Sequence, residues 1–251
     1  MKIADHKIGP GTSSFIIAEM SGNHNQSLDQ ALKIVDAAAK AGADAIKLQT
    51  YTVDTMTLDI NEGVFFISDE QSPWKGHSLY ELYDLAHTPW EWHEPIMKRA
   101  EELGMICFST PFDKSSVDFL ESLDVPAYKI ASFEIVDLPL IRYIAEKGKP
   151  IIMSTGMASI SEIDEAVRTV RETGNDQIAL LKCTSAYPAP PEEMNLRTIP
   201  HLAEAFGVPV GRIIHLAFCK LSRCSRPWCM YYRKALHAFP CRSWARQFVL
   251  S

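Results

Sequence analysis

Two lysines stand where lysines are costly. Lys47 in "AIKLQT" and Lys129 in "AYKIAS" lie inside short apolar runs, two or three residues before each run ends. Burying an ammonium without an anionic partner is expensive, so the pair calls for a ligand with phosphate or carboxylate groups, or for neighbouring acids. Glu19 in "IIAEMSGNH" and Glu134 in "KIASFEI" end similar runs. They are candidates for proton transfer or metal contact, and equally for salt bridges to Lys47 or Lys129. "STGM", Ser154 to Met157, sets two hydroxyls and Gly156 between an apolar run and an amphipathic segment. Backbone N–H groups at such a junction favour a phosphate, although the same turn serves as a plain cap.

Other residues are weaker candidates. His24, His77 and His93 show neither HxH nor HExxH spacing and read as loop or core histidines. In "KCTSAYPAPPEEMNL" three prolines surround Tyr187, so a rigid loop presents an aromatic ring as a substrate wall.

These residues need a scaffold that gathers them. "SFIIAEM", "DAIKLQT", "MICFSTP", "AYKIAS", "PIIMST" and "IALLKCT" are continuous apolar runs, which suit parallel strands buried on both faces. Amphipathic segments alternate with them: "SLDQALKIVDAAAKAG" has Ser27 as N-cap and Gly42 as stop, and "SISEIDEAVRTVRETG" has Ser159 or Ser161 as cap and Gly174 as stop. Polar residues gather where the runs end: Glu19, Lys47 and Gln49, Ser109 and Thr110, Lys129 and Ser132, Ser154 and Thr155, Lys182 and Thr184. That rim of polar ends, with no GxGxxG after the first run, predicts an α/β fold of the (β/α)8 TIM-barrel type rather than a dinucleotide-binding sheet. A seventh strand is expected near "GVPVG", Gly207 to Gly211, after which the pattern stops, so the barrel is expected to be incomplete. The segment from Tyr51 to His77 lacks periodicity and has the length of a functional loop; "SLYELYDLA" follows as a helix, then a break at Pro89 and a longer helix.

The 251 residues carry 31 acids and 25 bases, yet no acid follows Ala205, where eight Lys or Arg stand. The preceding body is strongly acidic, which argues against a nucleic-acid partner. No apolar run reaches the roughly 18 residues of a membrane helix, and "MKIADHKIGPG" lacks the apolar stretch of a signal peptide, so a cytoplasmic location without a membrane partner is expected. Of six cysteines, Cys107 and Cys183 lie in apolar runs and the other four in the tail.

Taken as a set, "IIAEMSGNHNQSL", "AGADAIKLQTYT", "FSTPFD", "AYKIASFE", "IIMSTGM" and "LLKCTSAYPAPPEEMNL" resemble the sialic acid synthase family, in order from about Phe15 to Gly211. "LYELYDLAHTPWEWH" and "AIKLQTYTVDTMTL" are most similar to its pseudaminic acid synthase branch, rather than to N-acetylneuraminate synthase. The resemblance implies condensation of phosphoenolpyruvate with a 2,4-diacetamido-trideoxy sugar or N-acetylmannosamine, without a Schiff base. A divalent ion, Mn or Mg, would polarise the open-chain aldehyde, C3 of phosphoenolpyruvate would attack it, water would add at C2, and phosphate would leave. It further implies that Lys47, Lys129, Ser132 and Ser154 hold phosphoenolpyruvate, that Gln49, Thr184 and Tyr187 face the sugar, and that Glu19 and Glu134 are the acid/base candidates. Thr110, Thr155 and Gly156 join the substrate-binding positions. Intact relatives are expected to be domain-swapped homodimers.

The resemblance then breaks off. Relatives continue with "LSDHTLGI" and a later segment whose two histidines bind the metal, followed by an antifreeze-like domain; neither segment stands in this sequence. Back-translated in shifted frames, "GRIIHLAF", "SRCSRPWCMYYRKALHAF" and "SWARQFVL" can spell those missing motifs in order. Residues 212–251 are therefore expected to be an out-of-frame basic tail after a partial barrel at 1–211, with His215 and His237 not replacing the metal ligands. Open sheet edges, poor solubility and inactivity would follow. The rival reading, a zinc or nucleic-acid module, finds no paired CxxC spacing among Cys219, Cys224, Cys229 and Cys241.

Overall fold

Side chains alternate across a strand, so a run that is apolar at every position must be covered on both faces. In the computed structural model, which describes residues 1–70, 74–184, 191–214 and 246–250, each of the apolar runs is a parallel strand. After a short antiparallel hairpin, β1 (Lys2–Ile3) and β2 (His6–Lys7), come β3 (Phe15–Glu19), β4 (Ala45–Thr50), β5 (Ile106–Pro111), β6 (Tyr128–Ile130), β7 (Ile151–Ser154), β8 (Ile178–Lys182) and β9 (Val210–Ile214). Each pairs in parallel with the next. The fold is the expected TIM-type arrangement with seven parallel strands.

The expectation of open edges is corrected. A further strand, β10 (Arg246–Leu250), runs antiparallel to both β3 and β9 and closes the barrel. Edge strands present unpaired N–H and C=O groups, and an extended segment that bonds to both edges satisfies them together. The seventh strand begins at Val210, within the expected stretch, after Gly207 at φ 64° has ended the preceding helix. It runs through the expected boundary between residues 211 and 212. The remainder of the tail lies outside the described residues, as do His215, His237 and the tail cysteines.

Helices cover the outside: α1 (Leu28–Ala41), α4 (His93–Glu102), α5 (Lys114–Ser122), α6 (Leu138–Ala145), α7 (Ile160–Glu172) and α8 (Thr198–Phe206). Ser27 caps α1 by accepting from Gln30 N–H, and Gly42 ends it at φ 83°. Ser159, not Ser161, caps α7. The aperiodic insertion holds α2 (Val53–Met56), a 3-10 turn at Gly63–Phe65 and then α3 (Leu79–Ala86), with Pro89 separating α3 from α4. Among the described residues no helix is long and apolar enough to cross a membrane.

The alternation sorts the core. Ala18, Ile46 and Leu48 pack with Val35, Ala38 and Ile96 of the helices. Phe15, Ile17, Ala45, Phe108, Ile152 and Leu181 form a cluster without helical members, which is the barrel lumen. Ile3 and Ile8 of the hairpin region join it, closing the end where the strands begin. The hairpin was not legible in the sequence, since strands of two residues carry no period.

Candidate active site

One inward step beyond the apolar lumen, the same alternation delivers Glu19, Lys47, Thr110, Lys129 and Ser154, all buried. The register sets Glu19 of β3 beside Lys47 of β4. Their side chains meet, with Lys47 Nζ 2.7 Å from Glu19 Oε2. The contact is an ion pair without a well-directed hydrogen bond to Oε2, while Oε1 accepts from Ser21 N–H at 3.2 Å. Lys47 also donates to Thr110 Oγ1 at 3.0 Å and to Leu48 O at 3.3 Å.

Lys129 donates to the Ser154 hydroxyl and to Ile130 O. Burial, and next the charge of Lys47, bring its ammonium down to about 7. Two lysines thus share one lumen with the ion-paired carboxylate of Glu19, an arrangement that suits an incoming anion. Lys47 has its acid, as one of the two readings expected, and Lys129 is held by hydroxyl and carbonyl oxygens.

Glu134 opens a 3-10 turn at Glu134–Val136, just past β6. Its carboxyl is held above the usual carboxylate range by burial, against the opposing pull of Lys129. Among the described residues its buried Oε2 has no hydrogen-bond partner. Ser132 is half-buried between β6 and that turn. Gln49 faces inward one step above Lys47 and pairs in register with Thr110.

Some expected residues stand apart from this cluster. Thr155 gives both its N–H, at 3.0 Å, and its hydroxyl, at 3.1 Å, to Leu181 O, which ties β7 to β8. Gly156 takes φ 28° in the turn that follows. The Thr184 hydroxyl accepts from Lys182 at 3.0 Å rather than meeting the two inward lysines. Tyr187 lies outside the described residues.

The histidines belong to the scaffold. His24 Nδ1 accepts from Gln26 N–H at 3.2 Å, so Nε2 carries the proton and donates to Thr88 Oγ1 at 3.2 Å. His93 Nδ1 donates to Trp90 O at 3.2 Å, leaving Nε2 to accept from the Thr50 hydroxyl at 2.7 Å, which in turn accepts from Ser109 at 2.6 Å. Burial lowers both imidazoles to about 4. His77 faces Glu81 at 3.8 Å on the exposed side of the insertion. Among the described residues, no three His, Cys, Asp or Glu side chains are grouped to hold a metal ion.

Sequence reasoning missed an aromatic group at the rim. Tyr51, directly after β4, stands edge-on to Tyr83 of α3 and to Phe112, with ring centroids 6.0 and 5.5 Å away. The available signal was the tyrosine placed beyond the end of a strand in "KLQTY". A cavity of about 360 Å3 opens beside Tyr51, lined also by Asp84, His87, Trp90 and Glu91. Its two carboxylates and lack of any Lys or Arg suit it poorly to an anion.

Comparison with known proteins agrees with this geometry. Residues 34–216 match the model of the NeuB family. The chain is 49% identical over 201 residues to the pseudaminic acid synthase of Campylobacter jejuni, covering 80% of this chain and 58% of that protein. It is 46% identical over 200 residues to the pseudaminic acid synthase of Helicobacter pylori, again over 80% and 58%. The N-acetylneuraminic acid synthetase of Leptospira borgpetersenii, solved with citrate, superposes with a TM-score of 0.75 at 30% identity, over 84% of this chain and 68% of that one. The chain therefore spans 58% of the length of these curated relatives.

Proposed function

The chain belongs to the NeuB family, and from that premise we propose that its barrel binds phosphoenolpyruvate and an N-acetylated amino sugar for condensation into a nonulosonic acid. The observation that carries the reading is the pair of buried, inward-facing lysines with hydroxyl partners, Lys47 with Thr110 and Lys129 with Ser154. Two neighbouring lysines, each with a hydroxyl beside it, suit a ligand with both a phosphate and a carboxylate. In the reaction, C3 of the enol attacks the aldehyde carbon of the open-chain sugar, and the aldehyde oxygen takes a proton. Water adds at C2, and collapse of the tetrahedral centre breaks the C2–O bond and expels phosphate, leaving a 2-oxo acid. Glu134, its carboxyl raised above the usual carboxylate range by burial, is the group suited to give the proton, while Glu19 holds Lys47 in place.

The resemblance calls for Mn or Mg, and the described residues supply no ligand set for it, so no step is assigned to a metal. The 49% identity to a pseudaminic acid synthase, against 30% to the N-acetylneuraminic acid synthetase, supports a 2,4-diacetamido-trideoxy sugar over N-acetylmannosamine. We further propose that residues 212–251 are read out of frame and that the 251-residue chain does not turn over. The end of the family match at residue 216 supports this.

Calorimetric titration of the chain with phosphoenolpyruvate tests the binding reading. Binding that is weakened at least about tenfold by Lys129→Met is expected, as is the absence of sugar-dependent phosphate release. A chain that ignores phosphoenolpyruvate sinks the reading, and measurable turnover sinks the claim of inactivity.

A further inference from the structure

The C-terminal end of α3 is fixed by the loop after β3. The Gln26 side-chain amide donates to Leu85 O at 3.1 Å and to His87 O at 2.7 Å. His24 bonds Thr88 at 3.2 Å. Gly22 lies so close that a Cβ there would sit 3.0 Å from Ala86 Cβ. Ser21, Asn25 and Gln26 all take positive φ without being glycine, a cost that these bonds offset. The same loop supplies the Ser21 N–H to Glu19, so the buried acid and α3 share one support.

What α3 presents from that position is Tyr83. Its ring stands edge-on to Tyr51, which is only 3% exposed and donates its hydroxyl to Tyr83 O at 3.3 Å. Tyr51 in turn packs edge-on to Phe112, two residues past the Thr110 that receives Lys47. The aromatic row therefore begins beside the cationic cluster and runs outward along the rim. Burial, and next the electrostatic influence of Glu134, raise the Tyr83 hydroxyl above its usual range.

We propose that Tyr83, backed by Tyr51, is a specificity-determining residue of the sugar site, whose apolar face selects a deoxygenated, acylated hexose over a fully hydroxylated one. The inference rests on the synthase reading above. A ring face rewards methyl groups and imposes a desolvation cost on hydroxyls that find no partner there. A hexose with a C6 methyl and two acetamido groups offers methyls where N-acetylmannosamine offers hydroxyls.

The test titrates the full 251-residue chain, saturated with phosphoenolpyruvate, with a 2,4-diacetamido-2,4,6-trideoxyhexose and with N-acetylmannosamine. The unsubstituted chain should prefer the first by at least about tenfold, Tyr83→Phe should keep that preference, and Tyr83→Ala should lose about tenfold of it. A preference unchanged in Tyr83→Ala, or lost equally in Tyr83→Phe, overturns the proposal. A second readout does not depend on the alanine variant folding: in the unsubstituted chain the Tyr83 ring protons should show contacts to the sugar methyls by nuclear Overhauser effect, and their absence overturns it. Failure of both sugars to bind also overturns it. Phosphoenolpyruvate bound in that same sample leaves the anion half of the synthase reading standing, and its absence takes down both.

Discussion

Glu19 and Lys47 face each other in register on β3 and β4 and form an ion pair of 2.7 Å with both side chains buried. A buried pair gains little over a well-packed apolar replacement, but breaking it leaves one charge stranded. Glu19→Gln should therefore destabilise the chain by about 3 kcal/mol. The double variant Glu19→Gln/Lys47→Met should cost less than Glu19→Gln alone. Denaturant midpoints check both; a double variant that simply adds the two single losses contradicts the coupling.

Lys129 should set the pH response of the proposed anion binding. With its ammonium brought from 10.5 to about 7, the free site loses its proton as pH rises through neutrality. A bound phosphate or carboxylate favours the charged form, so binding should take up a proton above pH 7 and weaken steadily as pH rises. Calorimetry in buffers of different ionisation enthalpy reads that proton directly. The sign for stability is the same as that of a paired carboxylate, moved to the alkaline side: between about pH 7 and 10.5 the unfolded chain holds the proton that the folded chain has released, so stability rises with pH across that window. Lys129→Met should flatten that rise.

His93 gives the acid-side counterpart. Its imidazole is pushed from 6.5 to about 4 and closes the chain Ser109–Thr50–His93–Trp90 between β4, β5 and α4. Below pH 6.5 the unfolded chain binds a proton that the folded chain refuses, so stability should fall between about pH 6.5 and 4. His24, also near 4, adds to the slope. In His93→Gln the slope should be shallower, at a constant cost of about 1 to 3 kcal/mol for the disturbed network. A slope unchanged by that substitution assigns the acid loss elsewhere.

How legible this was depended on what each residue had to satisfy. The strands could be read because burial on both faces admits only continuous apolar runs, and Lys47 and Lys129 stood out against that background. Ser27, Gly42 and Ser159 were legible as caps because their backbone requirements are local. Tyr51 and Tyr83 were not, since they meet through an insertion without periodicity. Thr184 was assigned by resemblance alone, and its hydrogen bond to Lys182 turns on the orientation of β8, which spacing does not reveal. β10 was least legible of all: the composition of its tail points to no fold, and its pairing depends on two edges, β3 and β9, that are both remote in sequence from it.

The closing strand makes the last prediction. β10 bonds to β3 from Glu19 to Phe15 and to β9 from Ile214 to Arg212, so its backbone satisfies both edges of the parallel sheet at once. Nothing in that role requires particular side chains, only an extended backbone of the right length, and a chain of shifted frame can supply it as well as an evolved one. Deleting residues 246–251 should therefore expose two edges and produce concentration-dependent assembly beyond that of the full chain in light scattering. A deletion variant that assembles no further than the full chain, with an unchanged thermal transition, would show that β10 contributes no closure in solution, and the barrel would then revert to seven strands with open edges.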